Sequence, residues 1–316
     1  MTLKKISISG LLFLIMGSLL ITSCSSVDDN DVNADTPVAI RLTSNVDVVS
    51  RTSLQDLQIE NGQEVGLFIK KTSPSDEVLY SNEKIIANGN GAFTYSTPMF
   101  YPVSNENVDF YAYHPYGSST LFDNIIFHTV ATDQTSKESY LNSDFLYASS
   151  LDIAKTTNAV LLRFSHKLSK LNFTIKEGTG MDLSGLTSVE ILDVSTIAAI
   201  NMPGGEYSLA PGNAPTTIKV YGVHGTVGAE TEISGMSAII IPQTIPSSNK
   251  LFKITINGGT PDETSYYYTP TSLITYEVGK KYSYILTVNH AGITVTSSIE
   301  DWISGGDDIE GEGTLE

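Results

Sequence analysis

Apolar and polar side chains alternate at every second position along most of this chain. Val38, Ile40, Leu42, Val46 and Val48 share one parity, whereas the positions between residues 40 and 48 on the other parity are all polar. The amphipathic spacing of a helix is not sustained in any window of twelve or more residues. A period of two is typical of strands that bury one face. The pattern therefore predicts an all-β protein.

Similar alternating segments recur to the end of the chain, and turn-forming clusters rich in glycine and asparagine separate them, as at 88–91, 203–205 and 257–259. Strands at this spacing favour antiparallel β-sandwiches. The alternation changes phase near Ser169 and Lys170, so the chain must bulge or pass between two sheets there. His166 occupies an apolar-face position just before this change, which predicts a buried, hydrogen-bonded histidine.

The first residues form an export signal. Lys4 and Lys5 precede an apolar run at 6–21, and the only cysteine, Cys24, follows Ser23. A basic start, a short apolar segment and small residues before the break mark a secretory signal peptide. The run is shorter than the about 20 residues of a membrane-spanning helix, although a single anchor with an incidental cysteine is the alternative. We therefore expect cleavage between Ser23 and Cys24, and a lipid such as palmitate on Cys24 that attaches the protein to the outer membrane.

An acidic stretch follows the cysteine. It resembles the surface-export signal of Bacteroidota lipoproteins, which implies the outer face of the outer membrane. Asp29, Asp31 and Asn33 also imitate the start of a calcium loop, but Ala34 and Ile40 occupy the positions that require Gly and Glu. We interpret residues 24–36 as a solvated tether and expect no metal.

Charge and length narrow the function further. Without residues 1–23 the chain has 293 residues and a net charge of 16 minus 35, or −19, which disfavours nucleic acid as a partner. This length fits two domains, for which we predict 37–158 and 159–316. Because no cysteine remains beyond Cys24, both must be stable without a disulfide.

Motifs of enzymatic chemistry are not found in the sequence. The five histidines are scattered without a metal-ligand spacing, and there is neither a phosphate-binding glycine loop nor a Gly-x-Ser-x-Gly elbow. The many carboxylates allow a glycosidase-like pair, but chance pairs are expected among 35 acids. We predict a binding or structural protein with no catalytic residues and no cofactor.

A series of short motifs, in order along nearly the whole mature chain, resembles the fimbrillin-like family of Bacteroidales, the subunits of type V pili. The first half contributes RT (51–52), NGQEVGLF (61–68), MFYP (99–102), VDFYAYHPY (108–116) and DFLYA (144–148). The second half contributes LRFSHKLSKL (162–171), IPQ (241–243), GKKY (279–282) and IEDW (299–302).

The resemblance implies two transthyretin-like β-sandwich domains with Greek-key connections, exported as a lipoprotein. It also implies that a trypsin-like protease cuts after an arginine near the N-terminus and that the first strand is lost. A strand from another fimbrial subunit then fills the groove. The expected location is the cell surface, and the fimbrium after maturation.

Arg51 and Thr52 flank the predicted cleavage point, because they lie in a polar stretch directly after the alternating segment. Arg41 is the alternative, but it falls within the strand pattern. The predicted displaced strand carries the five apolar residues Val38, Ile40, Leu42, Val46 and Val48. The other interpretation is an ordinary first strand of a stable monomer, followed by an ordinary loop arginine.

Near the C-terminus, Ile293, Val295 and Ile299 alternate with polar residues and form the predicted donor strand. Trp302 is expected to anchor this strand by packing, ahead of an acidic tail. The sequence thus predicts a stalk, tip or anchor subunit of a surface fimbria that serves adhesion or biofilm formation. The alternative is a surface lipoprotein that binds carbohydrate and never polymerises, suggested by the tyrosine cluster at 266–268.

Overall fold

The computed structural model describes residues 37–46, 58–223 and 232–302, and within them it contains twenty strands and one helix, α1 (Lys137–Ser143). The first eight strands are β1 (Leu42–Val46), β2 (Glu64–Lys71), β3 (Val78–Ala87), β4 (Phe93–Thr94), β5 (Val108–His114), β6 (Ile125–Thr129), β7 (Leu146–Ile153) and β8 (Val160–His166).

The remaining strands follow from residue 169 onward. They are β9 (Ser169–Glu177), β10 (Leu186–Val194), β11 (Ile197–Asn201), β12 (Glu206–Leu209), β13 (Thr216–Lys219), β14 (Glu232–Ile240), β15 (Thr244–Ile245), β16 (Phe252–Ile256), β17 (Thr264–Tyr268), β18 (Ile274–Thr275), β19 (Lys280–Asn289) and β20 (Gly292–Asp301). The predicted all-β class is confirmed.

The first sheet has seven strands in the order β1-β8-β7-β5-β2-β3-β4. All neighbours are antiparallel except β1, which runs parallel to β8. Two further bridges, from Ala39 to Phe100 and from Thr43 to Ala92, join the N-terminal segment to the region around β4 at the far end of the order. The first strand therefore links the two ends of this sheet and nearly closes it.

The second half forms a β-sandwich. One sheet has the order β14-β9-β19-β20 and the other β13-β10-β16-β17. Their inner faces share one core, in which the rings of Phe173 on β9 and Phe252 on β16 meet edge to face with centroids 5.2 Å apart. Buried residues alternate along these strands, as the period-two pattern requires. The predicted β-sandwich is confirmed; its strand pairs are antiparallel except that β9 runs parallel to β19.

The phase change near residue 169 is a passage between sheets. β8 pairs with β7 and β1 in the first sheet, whereas β9 pairs with β14 and β19 in the sandwich. Because the chain turns onto a new sheet between His166 and Ser169, its buried parity shifts. The division at residue 158 remains a prediction, with β8 lying beside the strands that precede it.

Candidate functional site

The N-terminal segment 38–46 lies between two parts of the first sheet. On one side, β1 pairs in parallel with β8, from Leu42 opposite Val160 to Val46 opposite Phe164. The carbonyl oxygen of Arg41 accepts a hydrogen bond of 2.8 Å from the Val160 amide, which extends this pairing toward the N-terminus. Parallel pairing of this kind requires two strands that are distant in sequence.

On its other side, the segment pairs with the stretch at 99–101. The Ile40 amide donates to the Met99 carbonyl at 2.8 Å, and the Tyr101 amide donates to the Val38 carbonyl at 3.0 Å. The Tyr95 hydroxyl donates to the Ile40 carbonyl at 2.6 Å. We call the space that the segment occupies, between β8 on one side and residues 91–101 on the other, the first-strand groove.

The segment inserts its apolar face into this groove. Val38, Ile40 and Leu42 are 8%, 1% and 7% exposed, whereas Arg41 between them is exposed. The alternation predicted from the sequence is therefore confirmed over these residues. Val46 is the last residue of β1, and Val48 lies outside the described residues, so the displacement of this strand stays a prediction.

One carbonyl oxygen fixes the end of the segment. The Gly91 oxygen accepts from the Ser44 amide at 2.6 Å, the Thr43 hydroxyl at 3.0 Å and the Ser44 hydroxyl at 3.4 Å. Gly91 has φ +88°, and a Cβ there would lie 2.7 Å from the Ser44 carbonyl oxygen, so only glycine fits. The sequence predicts a turn at 88–91 but does not predict this contact. Its one sign in the sequence is Ser44, a serine in an otherwise apolar series.

Tyr101 gives the groove a second unusual feature. Its side chain is 3% exposed, and its hydroxyl has no hydrogen-bond partner among the described residues. Burial raises the pKa of Tyr101 to about 12, because the ionised phenol would lose its hydration. Its ring meets Phe110 edge to face at 6.4 Å. The lining beside the segment is therefore neutral and apolar.

The predicted donor residues Ile293, Val295 and Ile299 lie on β20, at the edge of the sandwich. β20 pairs with β19 over ten residues, from Gly292 opposite Asn289 to Asp301 opposite Lys280. The three apolar side chains are half-buried against the core, and the alternate positions point to solvent. In the described part of the chain, no strand pairs with the outer edge of β20. Their role as donors stays a prediction.

Trp302 holds the C-terminal end of β20. It is 1% exposed, its amide donates to the Gly279 carbonyl at 2.7 Å, and its ring stacks on His166 with centroids 3.5 Å apart. The Nδ1 of His166 lies 3.0 Å from the Asp144 carboxylate, and Lys170 Nζ lies 5.5 Å from the indole centroid. The predictions that Trp302 packs and that His166 is buried and hydrogen-bonded are confirmed.

Three histidines that are far apart in sequence meet near Asp144. His114, His128 and His166, together with Asp144, form a buried junction cluster. Burial lowers the pKa of His114, and it lowers the pKa of His128 to about 4 despite a hydrogen bond of 2.9 Å to the Ser143 carbonyl. The sequence does not predict this cluster, because the pairing of strands that are distant in sequence brings its residues together. Among the described residues, no group of three or more His, Asp or Glu side chains is arranged so that it could hold a metal ion.

Several predicted positions lie outside the described residues: Ser23, Cys24, Arg51 and Thr52. Among the residues that are described, no helix is long and apolar enough to cross a membrane. The tyrosine cluster forms β17, where Tyr267 is 40% exposed beneath Lys250 Nζ at 3.9 Å, while its two neighbours are half-buried. Only one of the three rings is thus displayed.

These features define an all-β protein whose first strand occupies a groove formed by main-chain contacts on both sides. Comparison with known proteins gives the family. A family model described as fimbrillin-like matches residues 50–302, and the chain belongs to this family. A curated relative, "Putative fimbrium subunit Fim1C" of Bacteroides uniformis, is 26% identical over 302 residues, which cover 92% of this chain and 94% of the relative.

Solved structures show the same fold. A putative cell adhesion protein from Bacteroides uniformis superposes with a TM-score of 0.63 at 23% identity, covering 85% of this chain and 99% of the other. Another from Bacteroides ovatus gives 0.64 at 20% identity, covering 87% and 100%. Since the family and its relative are fimbrial, the predicted non-enzymatic class is confirmed.

Proposed function

We propose that this protein is a structural subunit of a cell-surface fimbria, exported as a lipoprotein and assembled after proteolytic removal of its first strand. Family membership and the fimbrial relative support the general role. The single observation that carries the mechanism is the seating of segment 38–46, which is bonded along both edges and yet belongs to the extreme N-terminal side of the fold. Such a strand can be removed without cutting through the rest of either sheet.

The cut falls after Arg51. The chain has only three arginines: Arg41, Arg51 and Arg163. Arg41 has its carbonyl bonded to the Val160 amide, and Arg163 lies within β8, opposite Asn45. Proteases cut accessible, unpaired backbone, so these two bonds are protected. Cleavage after Arg51 separates both the first strand and the lipid on Cys24 from the remaining chain.

The emptied groove strongly favours a new strand. Burying Val38, Ile40 and Leu42 contributes roughly 1.5 to 3 kcal/mol each, or about 5 to 9 kcal/mol in all. That is comparable with the whole stability of a typical domain. A strand from a neighbouring subunit restores this burial and the main-chain hydrogen bonds together, which is the logic of β-strand addition. We assign β20 of the neighbour as the donor.

Limited digestion of residues 24–316 with an arginine-specific protease tests this maturation. We expect one new N-terminus at Thr52, followed by a ladder of multimers on a gel of unheated samples. Arg51→Gln should abolish both, while the matched control Arg41→Gln should be cut like the wild type. Equal cutting of Arg51→Gln, or a clipped product that stays monomeric at high concentration, contradicts the proposal.

Lipid attachment is tested separately in cells. Metabolic labelling with palmitate should mark the protein and fractionate it with the outer membrane, whereas Cys24→Ser should carry no label. After cleavage, the label should remain on the N-terminal fragment alone. Label retained on the fragment that begins at Thr52 would refute Cys24 as the anchor.

A carbohydrate-binding surface lipoprotein is the second candidate. The exposed ring of Tyr267 favours it, since sugars stack on aromatic faces, as does an open cleft of about 590 Å³ lined by Tyr207, Asp193 and Asn249. A glycan array should then show hits that Tyr267→Ala or Asp193→Ala removes. An array without hits, beside multimers from the clipped protein, decides for the fimbrial subunit.

A further inference from the structure

We infer that β20 of a second copy enters the first-strand groove in one register only, with Thr296 and Ser297 in the places of Thr43 and Ser44. The inference rests on the proposed function, because the groove must first be emptied. Beyond that function, it identifies the residues that select the register of the incoming strand. The argument depends on the order of side chains in the two strands and on the contacts of the Gly91 oxygen.

The two strands share one side-chain order. When residues 291–299 are placed on 38–46, three positions are identical: Ile293 on Ile40, Thr296 on Thr43 and Ser297 on Ser44. Val295 and Ile299 replace the apolar residues at 42 and 46 with similar ones. Residues 293, 295 and 297 on the inward face of β20 thus match residues 40, 42 and 44 on the inward face of the first strand.

Other registers conflict with the groove. A shift of one residue exchanges the two faces of the strand, which would bury Thr294 and Thr296. A shift of two in one direction places Val295 at the Ser44 position, and in the other direction it places Ile299 there and Ser297 at the Leu42 position. Both shifts put an apolar side chain beside the Gly91 oxygen, and both place Ser297 where the first strand has an apolar residue, Val46 or Leu42. Only the first alignment avoids these mismatches.

The Gly91 oxygen supplies the physical basis of selection. It receives three donors from Thr43 and Ser44, and a threonine followed by a serine reproduces all three: two hydroxyls and one amide. In their own sandwich, the side-chain hydroxyls of Thr296 and Ser297 make no hydrogen bond to another described residue. Apolar contacts alone tolerate slippage by two residues, whereas directional bonds to a fixed acceptor do not.

Burial gives the exchange its direction. The side chains of Ile293 and Val295 are half-buried at the sandwich edge, but their counterparts Ile40 and Leu42 are 1% and 7% exposed. For these two side chains, a transfer therefore removes further apolar surface from water. It also requires β20 to leave β19 and Trp302 to leave His166, so the strand stays in its own sandwich until a groove is vacant.

A peptide of residues 289–301 tests the register. The full chain is cleaved after Arg51, the released first strand is removed in mild denaturant, and binding is followed by fluorescence anisotropy of a labelled peptide. We expect saturable binding that falls at least tenfold for Ser297→Val and about threefold for Thr296→Val. The matched control Ser298→Val, on the outward face, should bind within twofold of the wild type. A peptide of residues 37–46 reports separately whether the groove is intact.

Disulfide trapping reads the register directly, because Cys24 is lost with the N-terminal fragment. Asn45 faces Arg163 on β8, so a Ser298→Cys peptide should crosslink to protein carrying Arg163→Cys, while Thr296→Cys should not. If the 37–46 peptide binds but the 289–301 peptide does not, β20 is not the donor. If the β20 peptide binds equally with Ser297→Val, or traps through residue 296, the register is wrong and the proposed function stands. If neither peptide binds, both the register and the proposed function are wrong.

Discussion

The first strand and β20 have nearly the same sequence pattern but different surroundings. The segment 38–46 is bonded on both edges, by β8 and by residues 99–101, and its apolar side chains are almost completely buried. Among the described residues, β20 has a paired strand on one edge only, and its apolar side chains are half-buried. The comparison teaches that the neighbours of a strand, and not its alternation, decide how much stability the strand contributes.

The largest loss of stability is expected on substitution of Trp302. This buried residue anchors β20, whose own side chains are at most half-buried. Trp302→Ala should lower the free energy of unfolding by about 4 kcal/mol, because the buried indole leaves a cavity against His166. Hydrogen exchange of β20 amides should accelerate while that of β1 amides is retained. Tyr267→Ala, at an exposed ring, is the control and should change stability by less than about 0.5 kcal/mol. Equal acceleration of exchange in both strands would contradict the prediction that Trp302 stabilises β20 and not β1.

Single truncations compare the two strands directly. Ile40→Ala should cost about 3 kcal/mol, since its side chain is 1% exposed, whereas Val295→Ala should cost about 1 kcal/mol at its half-buried position. Urea unfolding of the intact, uncleaved chain measures both. Equal losses would mean that the edge strand is as strongly held as the enclosed one.

Acid should destabilise the protein through His128 in the junction cluster. The His128 pKa is lowered from 6.5 to about 4, so between these values the unfolded chain binds a proton that the native chain does not. Stability is complete above pH 6.5 and falls as the pH drops toward 4, by on the order of 3 kcal/mol. Urea unfolding at several pH values should show that the free energy of unfolding depends less on pH in His128→Gln than in the wild type. An identical pH dependence in the two proteins would refute this account.

The smallest effect concerns the contact of Gly91 with the first strand. Gly91→Ala combines a positive φ with a Cβ 2.7 Å from the Ser44 oxygen and should cost about 2 kcal/mol. Gly212→Ala is the matched control, because Gly212 also has a positive φ, +73°, but nothing lies within 4 Å of its Cβ; about 1 kcal/mol is expected. Thermal unfolding separates the two. Equal losses of stability in the two variants would show that the close approach of the Ser44 oxygen to Gly91 adds nothing to the cost of the substitution.

Much of the fold follows from local pattern. Alternation located the first strand and the phase change near Ser169 and Lys170, because burial of every second side chain is a property of each strand by itself. Pairing is different: that β1 runs parallel to β8 depends on residues more than a hundred positions apart, and periodicity carries no information about partners. The junction cluster was missed for the same reason. The Gly91 contact was missed because a lone serine in an apolar series has many explanations.

The parallel orientation of β1 and β8 has a consequence for symmetry. A strand that enters the groove must run in one direction, and in each copy the groove and the strand that we propose to fill it are different surfaces. Contacts between unlike surfaces do not close on themselves as a two-fold dimer does; they repeat from copy to copy, and they generate an open filament when the repeated rotation does not close into a ring. Such a filament has two distinct ends, one presenting a vacant groove and the other an unused strand, so growth and capping would each occur at a defined end.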